Sequence, residues 1–256
     1  MPAPATMNRD HCDITEIFSS IQGEGPYIGF RQIFIRFSDC NLECAYCDTG
    51  TGVHPEFCLI EESPGSCVMT RRNNPIGRDD VVTLVEKWLG KWPGIHHSIS
   101  LTGGEPLLNH VFLNSLLPEL RKLLPVYLET NGTLCAPFEL LSKYIDYVSM
   151  DIKIPSTSHH QGLWDSHREF LERASGKKVF IKVVIGETTE NWEIHKACEI
   201  IAAVDKSMPL ILQPMTFGTG EIAISQKRLL DLHTLATGSL REVRIIPQTH
   251  KFLGLL

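Results

Sequence analysis

Short apolar and β-branched runs recur along the chain, and between most of them lie longer stretches whose apolar residues return every three or four positions. The runs are 31-RQIFIRF-37, 97-HSISL-101, 125-PVYLE-129, 144-YIDYVSM-150, 179-VFIKVVI-185, 209-PLILQ-213 and 242-EVRII-246, and each predicts a strand. Helical spacing predicts helices over 79–92, opened by an aspartate cap, and over 110–124, 189–204 and 221–236. Pro118 is expected to kink the second helix or end its first half, because it removes a backbone donor and crowds the preceding turn. Strand alternating with helix defines an α/β fold with a largely parallel sheet. Two stretches depart from the rhythm. The segment 51–78, rich in Pro, Gly, Asn and charge, reads as a long loop or small insertion; 155–178 begins loop-like and then turns helical. Neither has the character of a linker, so one domain over 1–256 is expected.

The strand-like runs share a second property. Nearly every one leads directly into polar or glycine residues: Phe37 into the cysteine-bearing segment, Leu101 into TGGEP, Leu128 into ETNG, Met150 into DIK, Leu212 into QPM and Ile246 into PQTHK. In parallel α/β folds the C-terminal strand ends lie along one edge, where ligands and catalytic groups collect. Turn chemistry alone explains any one of these sites; six in succession point to a shared functional edge.

Composition narrows the class. The 256 residues are 43% hydrophobic, enough for a sizeable core, and the formal charge of −6 argues against a basic nucleic-acid-binding surface. Without a run of about 18 apolar residues, no membrane span is expected. The opening MPAPATMNRD lacks the apolar centre of a secretory signal, so a cytoplasmic protein is expected. Eight cysteines in such a chain suggest a metal or redox site where they cluster, rather than a disulfide framework.

They cluster at Cys40, Cys44 and Cys47. The intervals fit one face of a helix, but Ser38, Asp39, Asn41, Glu43, Asp48 and Thr49 are poor company for a buried stripe. Structural zinc requires a fourth ligand, and the nearest candidates, His54 and Cys58, stand at unfamiliar spacings. The third reading is an iron–sulfur cluster; most clusters take four thiolates, and three would leave one iron open for a ligand.

The residues Cys40-Asn-Leu-Glu-Cys44-Ala-Tyr46-Cys47 resemble the CxxxCxxC signature of the radical S-adenosylmethionine (SAM) enzymes, and Thr102-Gly-Gly-Glu-Pro106 resembles their GGEP motif. The flanks resemble one family within them, the 7-carboxy-7-deazaguanine synthases: Gln22-Gly23-Glu24-Gly25 before the cysteines, Arg36 four residues ahead of Cys40, Asp48-Thr49 behind Cys47, and 244-RIIPQTHKFLGLL-256 at the end of the chain.

This resemblance implies an incomplete, TIM-like barrel of mostly parallel strands with the site at their C-terminal ends. It implies a 4Fe-4S cluster on Cys40, Cys44 and Cys47, whose open iron binds SAM and cleaves it to a deoxyadenosyl radical. The substrate implied is 6-carboxy-5,6,7,8-tetrahydropterin, contracted to 7-carboxy-7-deazaguanine with loss of ammonia, with Mg²⁺ taking part. Carried over by motif, Thr49 is a Mg²⁺ ligand, a hard cation suited to oxygen. Arg36 holds the substrate carboxylate. Ile21, Gln22, Gly23 and Glu24 meet the pterin edge, and Thr102, Gln248 and His250 also contact substrate. Tyr46, Cys47, Asp48 and Gly104 line the SAM site, the glycines letting backbone approach its methionine part. Asp151, Ile152, Lys153 and Gln213 reach its ribose and adenine, although many members carry Ser-Pro-Lys where this chain has Asp151-Ile152-Lys153. The family further implies a homodimer and an electron donor such as flavodoxin or ferredoxin. The alternatives are a glycyl-radical-enzyme activase, which shares the cysteine spacing but has no use for the Arg36 and QGEG constellation, and a non-catalytic zinc-binding interaction module.

Overall fold

The computed structural model describes residues 9–47, 54–216 and 221–255. Its strands are β1 (His11–Cys12), β2 (Ile14–Ile21), β3 (Arg31–Phe37), β4 (Phe57–Glu61), β5 (Met69–Asn73), β6 (Ile76–Gly77), β7 (Ser98–Gly103), β8 (Val126–Thr130), β9 (Tyr147–Asp151), β10 (Lys178–Ile185), β11 (Leu210–Pro214) and β12 (Val243–Ile245). Its helices are α1 (Arg78–Lys91), α2 (His110–Leu123), α3 (Cys135–Leu141), α4 (Pro155–Ser158), α5 (Trp164–Ala174), α6 (Asn191–Val204), α7 (Gln226–Thr237) and α8 (Thr249–Leu253). Among the described residues, no helix is long and apolar enough to cross a membrane.

One sheet runs in the order β12-β11-β10-β9-β8-β7-β3-β2-β4-β5. From β3 through β12 the seven strands are parallel, and each new strand joins the side of the one before. This winding in a single direction, with no reversal of strand order, is that of a barrel rather than a doubly wound sheet. The sheet remains open: β12 and β5 are its two edges.

Period-two alternation divides the strands between two environments. Ile33, Ile35, Phe37, Ile99, Leu101, Val126, Leu128, Val148, Met150, Ile181 and Val183 join the main apolar core, with helix residues such as Leu116, Leu117 and Ile201. The intervening residues face the concave side. There Tyr127, Tyr147, Phe180 and Ile211 form a second cluster, against which Tyr27 packs. Beyond this aromatic layer, nearer the C-terminal strand ends, come Arg36, Thr102, Glu129, Asp151, Lys182 and Gln213.

Several local expectations are corrected. The stretch 51–78 contains the antiparallel strands β4 and β5, which extend the sheet through β2. Only Cys58, Ile60 and Glu61 of these two strands are buried, and the outermost strand carries exposed Arg71 and Arg72 on its free edge, so the charge-rich sequence hides the period. Strand β2 was not anticipated; it runs antiparallel to β3. Helix α2 continues through Pro118. The carbonyl that Pro118 leaves without a donor belongs to Asn114, an exposed residue that water can serve, while Phe112, Leu113, Leu116, Leu117 and Leu120 bury the opposite face. Helix α1 has Gly77, not Asp79, at its N-cap; Asp79 and Asp80 lie in the first turn, where the helix dipole favours them. Residues 221–224 precede α7, because Ala223 pairs through its backbone with Met215 and Glu187; Ser225 then caps the helix at the Arg228 N–H. A reciprocal Glu190/Glu193 capping box starts α6.

Candidate active site

The cysteine segment leaves the end of β3 as a loop, so the helical arithmetic of its spacing is a coincidence. Asp39 adopts φ 67°, its carboxylate accepts the Cys40 N–H at 2.8 Å, and its carbonyl accepts the Glu105 N–H at 2.8 Å. Gly104 donates to the Phe37 carbonyl at 3.2 Å. A Cβ on Gly104 would stand 1.7 Å from the Asp39 carbonyl oxygen, and Gly103 has φ +113° with its own Cβ position 2.1 Å from the Phe37 carbonyl oxygen. The glycines of TGGEP therefore serve first to let β7 lock onto the root of the cysteine loop. Glu105, fully buried, accepts from the Leu107 and Asn131 N–H groups and from the Thr130 hydroxyl; burial pushes its carboxyl up to about 7 despite those donors.

Cys40, Cys44 and Cys47 line one cavity. Burial raises the Cys40 thiol and pushes Cys44 up to about 11, with Lys153 acting in the opposite sense on both. Iron binding would therefore release protons from them. The Asn131 amide approaches the Cys40 sulfur at 3.8 Å and donates to the Asn41 side chain at 2.8 Å. Among the described residues, no three His, Cys, Asp or Glu groups converge on a point that could hold one metal ion. Three thiols lining one cavity supply thiolate donors of the kind an iron–sulfur cluster takes. The two candidates for a fourth zinc ligand lie elsewhere: Cys58 is buried in β4 and exposed His54 bonds Asp13 at 3.0 Å.

The C-terminal strand ends form the wall. Thr102 donates to Glu129 Oε2 at 2.7 Å. Lys153 donates to Asp151 at 2.7 Å and to the Tyr46 hydroxyl at 2.9 Å, tying the cysteine loop to the end of β9. Burial would lower the Lys153 ammonium, but Asp151 and Tyr46 keep it well above its usual range. Asp151 Oδ1 and Gln213 Oε1 are buried acceptors without a protein partner, and both residues line the cavity. Such orphan acceptors suit a ligand rich in hydroxyl or amino donors. Arg36 bonds Glu16 on the adjacent strand through Nε at 3.1 Å, and its guanidinium lies 5.5 Å from the Phe18 ring centre.

The floor comes from the opposite end of the barrel. Ile21 pairs with Arg31 at the N-terminal end of β3, and the connecting loop folds inward from there. Gln22, 2% exposed, donates through its side-chain amide to Gln32 and Glu129, both at 3.0 Å, while its side-chain Oε1 accepts the Glu24 N–H. Glu24 forms an ion pair with Lys182 and accepts from Gln248 Nε2 at 2.8 Å. Burial pushes the Glu24 carboxyl up, but Lys182 and these hydrogen bonds outweigh it and hold the group at about 2. Thr249 bonds the Gly23 carbonyl through both N–H and hydroxyl, each at 2.9 Å, and a Cβ on Gly23 would strike His250. The end of the chain thus seals the floor.

The cavity gathers Ile21, Gln22, Gly23, Glu24, Arg36, Cys40, Cys44, Tyr46, Cys47, Thr102, Gly104, Asp151, Lys153, Gln213, Gln248 and His250, all anticipated from motifs. The Ile152 side chain turns away into the main core, and Asp48 and Thr49 lie outside the described residues. Sequence reasoning missed Glu129 and Lys182. A signal existed for each: Glu129 is the acid of ETNG at a strand end, and Lys182 is a lone charge in 179-VFIKVVI-185.

A barrel opened at one side, with three loop thiols at the C-terminal strand ends, defines a radical SAM protein. The radical SAM superfamily model matches residues 34–198, more than half of the chain. Among curated relatives, the 7-carboxy-7-deazaguanine synthase of Geobacter sulfurreducens is 53% identical over 250 residues, covering 98% of this chain and 100% of that protein. The synthase of Methanothermobacter thermautotrophicus is 34% identical, covering 94% of this chain and 97% of that one. The crystal structure of QueE from Escherichia coli superposes with a TM-score of 0.57 at 23% identity, over 94% of this chain and 95% of that one, a likeness of fold. This chain belongs to the 7-carboxy-7-deazaguanine synthase family of radical SAM enzymes, and family membership implies a 4Fe-4S cluster and SAM.

Proposed function

We propose that this chain converts 6-carboxy-5,6,7,8-tetrahydropterin to 7-carboxy-7-deazaguanine with loss of ammonia, using a 4Fe-4S cluster, SAM and Mg²⁺. The observation that carries the reading is that the three thiols and the Gln22–Glu24 floor line the same cavity from opposite ends. When bound, the cluster and SAM supply one-electron chemistry that removes and returns a substrate hydrogen. The chain's own residues position the partners and exclude water.

Cys40, Cys44 and Cys47 would hold the cluster. Tyr46, Cys47, Asp48, Gly104, Asp151, Lys153 and Gln213, with the Ile152 backbone, would surround SAM; the two orphan acceptors Asp151 Oδ1 and Gln213 Oε1 support the placement of its ribose or adenine donors there. Arg36 would meet the substrate carboxylate with the part of its planar fork that Glu16 leaves unused. Thr102, Ile21, Gln22, Gly23, Glu24, Gln248 and His250 would enclose the pterin, and Thr49 would give its hydroxyl to Mg²⁺. The reading also carries a one-electron donor such as flavodoxin or ferredoxin, and a homodimer.

The test is anaerobic reconstitution with iron and sulfide, then incubation of the reduced protein with SAM, Mg²⁺ and carboxytetrahydropterin. Brown protein with about four irons per chain and a product with the mass of carboxydeazaguanine are expected. A colourless protein binding one zinc, or SAM consumed only beside a glycyl-radical partner, would overturn the reading.

A further inference from the structure

The turn after β8 presents Asn131 to the root of the cysteine loop. The residue is 6% exposed, and its backbone is held on both sides: its N–H donates to Glu105 Oε2 at 2.8 Å, and its carbonyl accepts from His167 Nε2 at 3.1 Å. The side chain is held as firmly. Its Oδ1 accepts both the N–H of Thr133, at 3.1 Å, and the Thr133 hydroxyl, at 2.6 Å. A backbone N–H can only donate, so this end of the amide is the oxygen and the other end is the NH₂ group. That group faces Asn41 Oδ1 at 2.8 Å and Cys40 Sγ at 3.8 Å, one hydrogen for each. Asn41 in turn donates to the Thr133 hydroxyl at 2.9 Å. Asn41, Thr133 and Asn131 therefore form a closed ring of hydrogen bonds, and the Asn131 hydrogen not used in the ring points at the cysteine sulfur.

A hydrogen bond strengthens as its acceptor gains negative charge. When a one-electron donor reduces an iron–sulfur cluster, the donor is oxidised, the cluster gains one negative charge shared with its sulfurs, and no bond to the protein forms or breaks. An N–H group fixed at a ligand sulfur then favours the reduced form, and hydrogen bonds to the sulfurs are among the factors that set a cluster's reduction potential. Because the ring holds the Asn131 amide in place beforehand, the donor does not have to reorient when the charge arrives.

We propose that Asn131 is a positioning residue for the cluster: its side-chain amide, locked by Asn41 and Thr133, donates to the Cys40 thiolate and raises the reduction potential of the cluster that Cys40, Cys44 and Cys47 hold. This deepens the proposed function and rests on its cluster, though not on its substrate.

The experiment is a potentiometric titration of anaerobically reconstituted wild type, Asn131→Leu, Asn131→Asp and Thr133→Val, without substrate, with the reduced cluster followed by EPR and iron content measured on each. Asn131→Leu removes the donor at similar size. It should lower the ratio of reduced to oxidised cluster at a fixed potential by on the order of tenfold, which for one electron is a fall of about 59 mV. Asn131→Asp keeps the acceptor for Thr133 but sets an anion beside the sulfur, and should lower the potential further. Thr133→Val retains the N–H that holds Asn131 Oδ1, so its ratio should stay within about threefold of wild type. Water admitted by a loosened loop would favour the more highly charged, reduced cluster and raise the potential, so the sign of the shift separates a donor to sulfur from a merely structural residue. An unchanged or higher potential in Asn131→Leu at full iron content overturns the inference and leaves the proposed function standing. Should Asn131→Leu fail to load iron, Asn131→Asp decides by the same sign; failure of both to load iron assigns Asn131 to assembly of the loop and also overturns the inference. A wild type that holds no iron–sulfur cluster overturns both.

Discussion

Replacing Lys182 by methionine keeps an unbranched side chain as far as its ε position and removes the charged amine. In the wild type Lys182 pairs with Glu24 and lies 3.5 Å from Asp151, with side-chain exposures of 11%, 15% and 14%, so solvent does little to screen the set. Glu24 titrates at about 2, against an ordinary value of 4.5. At 1.36 kcal/mol per pH unit that gap corresponds to about 3 kcal/mol. Removing one member of a buried pair leaves the other charge uncompensated, a cost of about 3–5 kcal/mol. Urea unfolding of the cluster-free chain under anaerobic conditions measures it. Because the folded Glu24 carboxyl lies below its unfolded value, the pair's stabilisation is fully present above about 4.5 and is lost as pH falls toward 2. The deficit of Lys182→Met should therefore be widest at pH 7 and narrow below about pH 5. The double variant Glu24→Gln/Lys182→Met should recover most of it, since Asp151 retains Lys153. A deficit under about 1 kcal/mol at pH 7, one that does not narrow in acid, or a double variant no more stable than the single one would refute the reasoning.

Gly104→Ala should drive backbone against backbone at Asp39, destabilising the chain by about 1–3 kcal/mol and cutting iron incorporation to less than about half; full iron loading would show that the loop root is free to move. Arg36→Lys keeps the charge but loses the fork, so KM for the carboxylated pterin should rise on the order of tenfold or more, with less than about 1 kcal/mol of stability lost from the partly exposed Glu16 pair; unchanged KM with lost stability would make Arg36 a structural ion pair. Thr49→Ala should weaken the Mg²⁺ dependence of turnover and leave iron content intact; loss of iron would assign Thr49 to the loop's structure instead.

How far the residues alone carry is shown by particular elements. The seven parallel strands were legible because each core-facing residue alternates with an inward one over a long enough run to register as a period. Strands β4 and β5 were not, because an edge strand needs few buried residues and charge protects its rim. The cysteine loop and TGGEP were legible because their residue types and spacing resemble the radical SAM signature and lie just past predicted strands. Their direct contact, with Gly104 against Asp39, was not, since it depends on β3 and β7 being neighbours. The same holds for the floor. Glu24 meets Lys182 158 residues away and Gln248 224 residues away, and Gln22 meets Glu129 107 residues away. Alternation places Glu129 and Lys182 on the face opposite their apolar neighbours, but a local period carries no record of what that face encloses. Only the curling of the sheet, with a loop turned inward from its N-terminal end and the chain's last helix laid over it, makes those separate polar residues into one cavity.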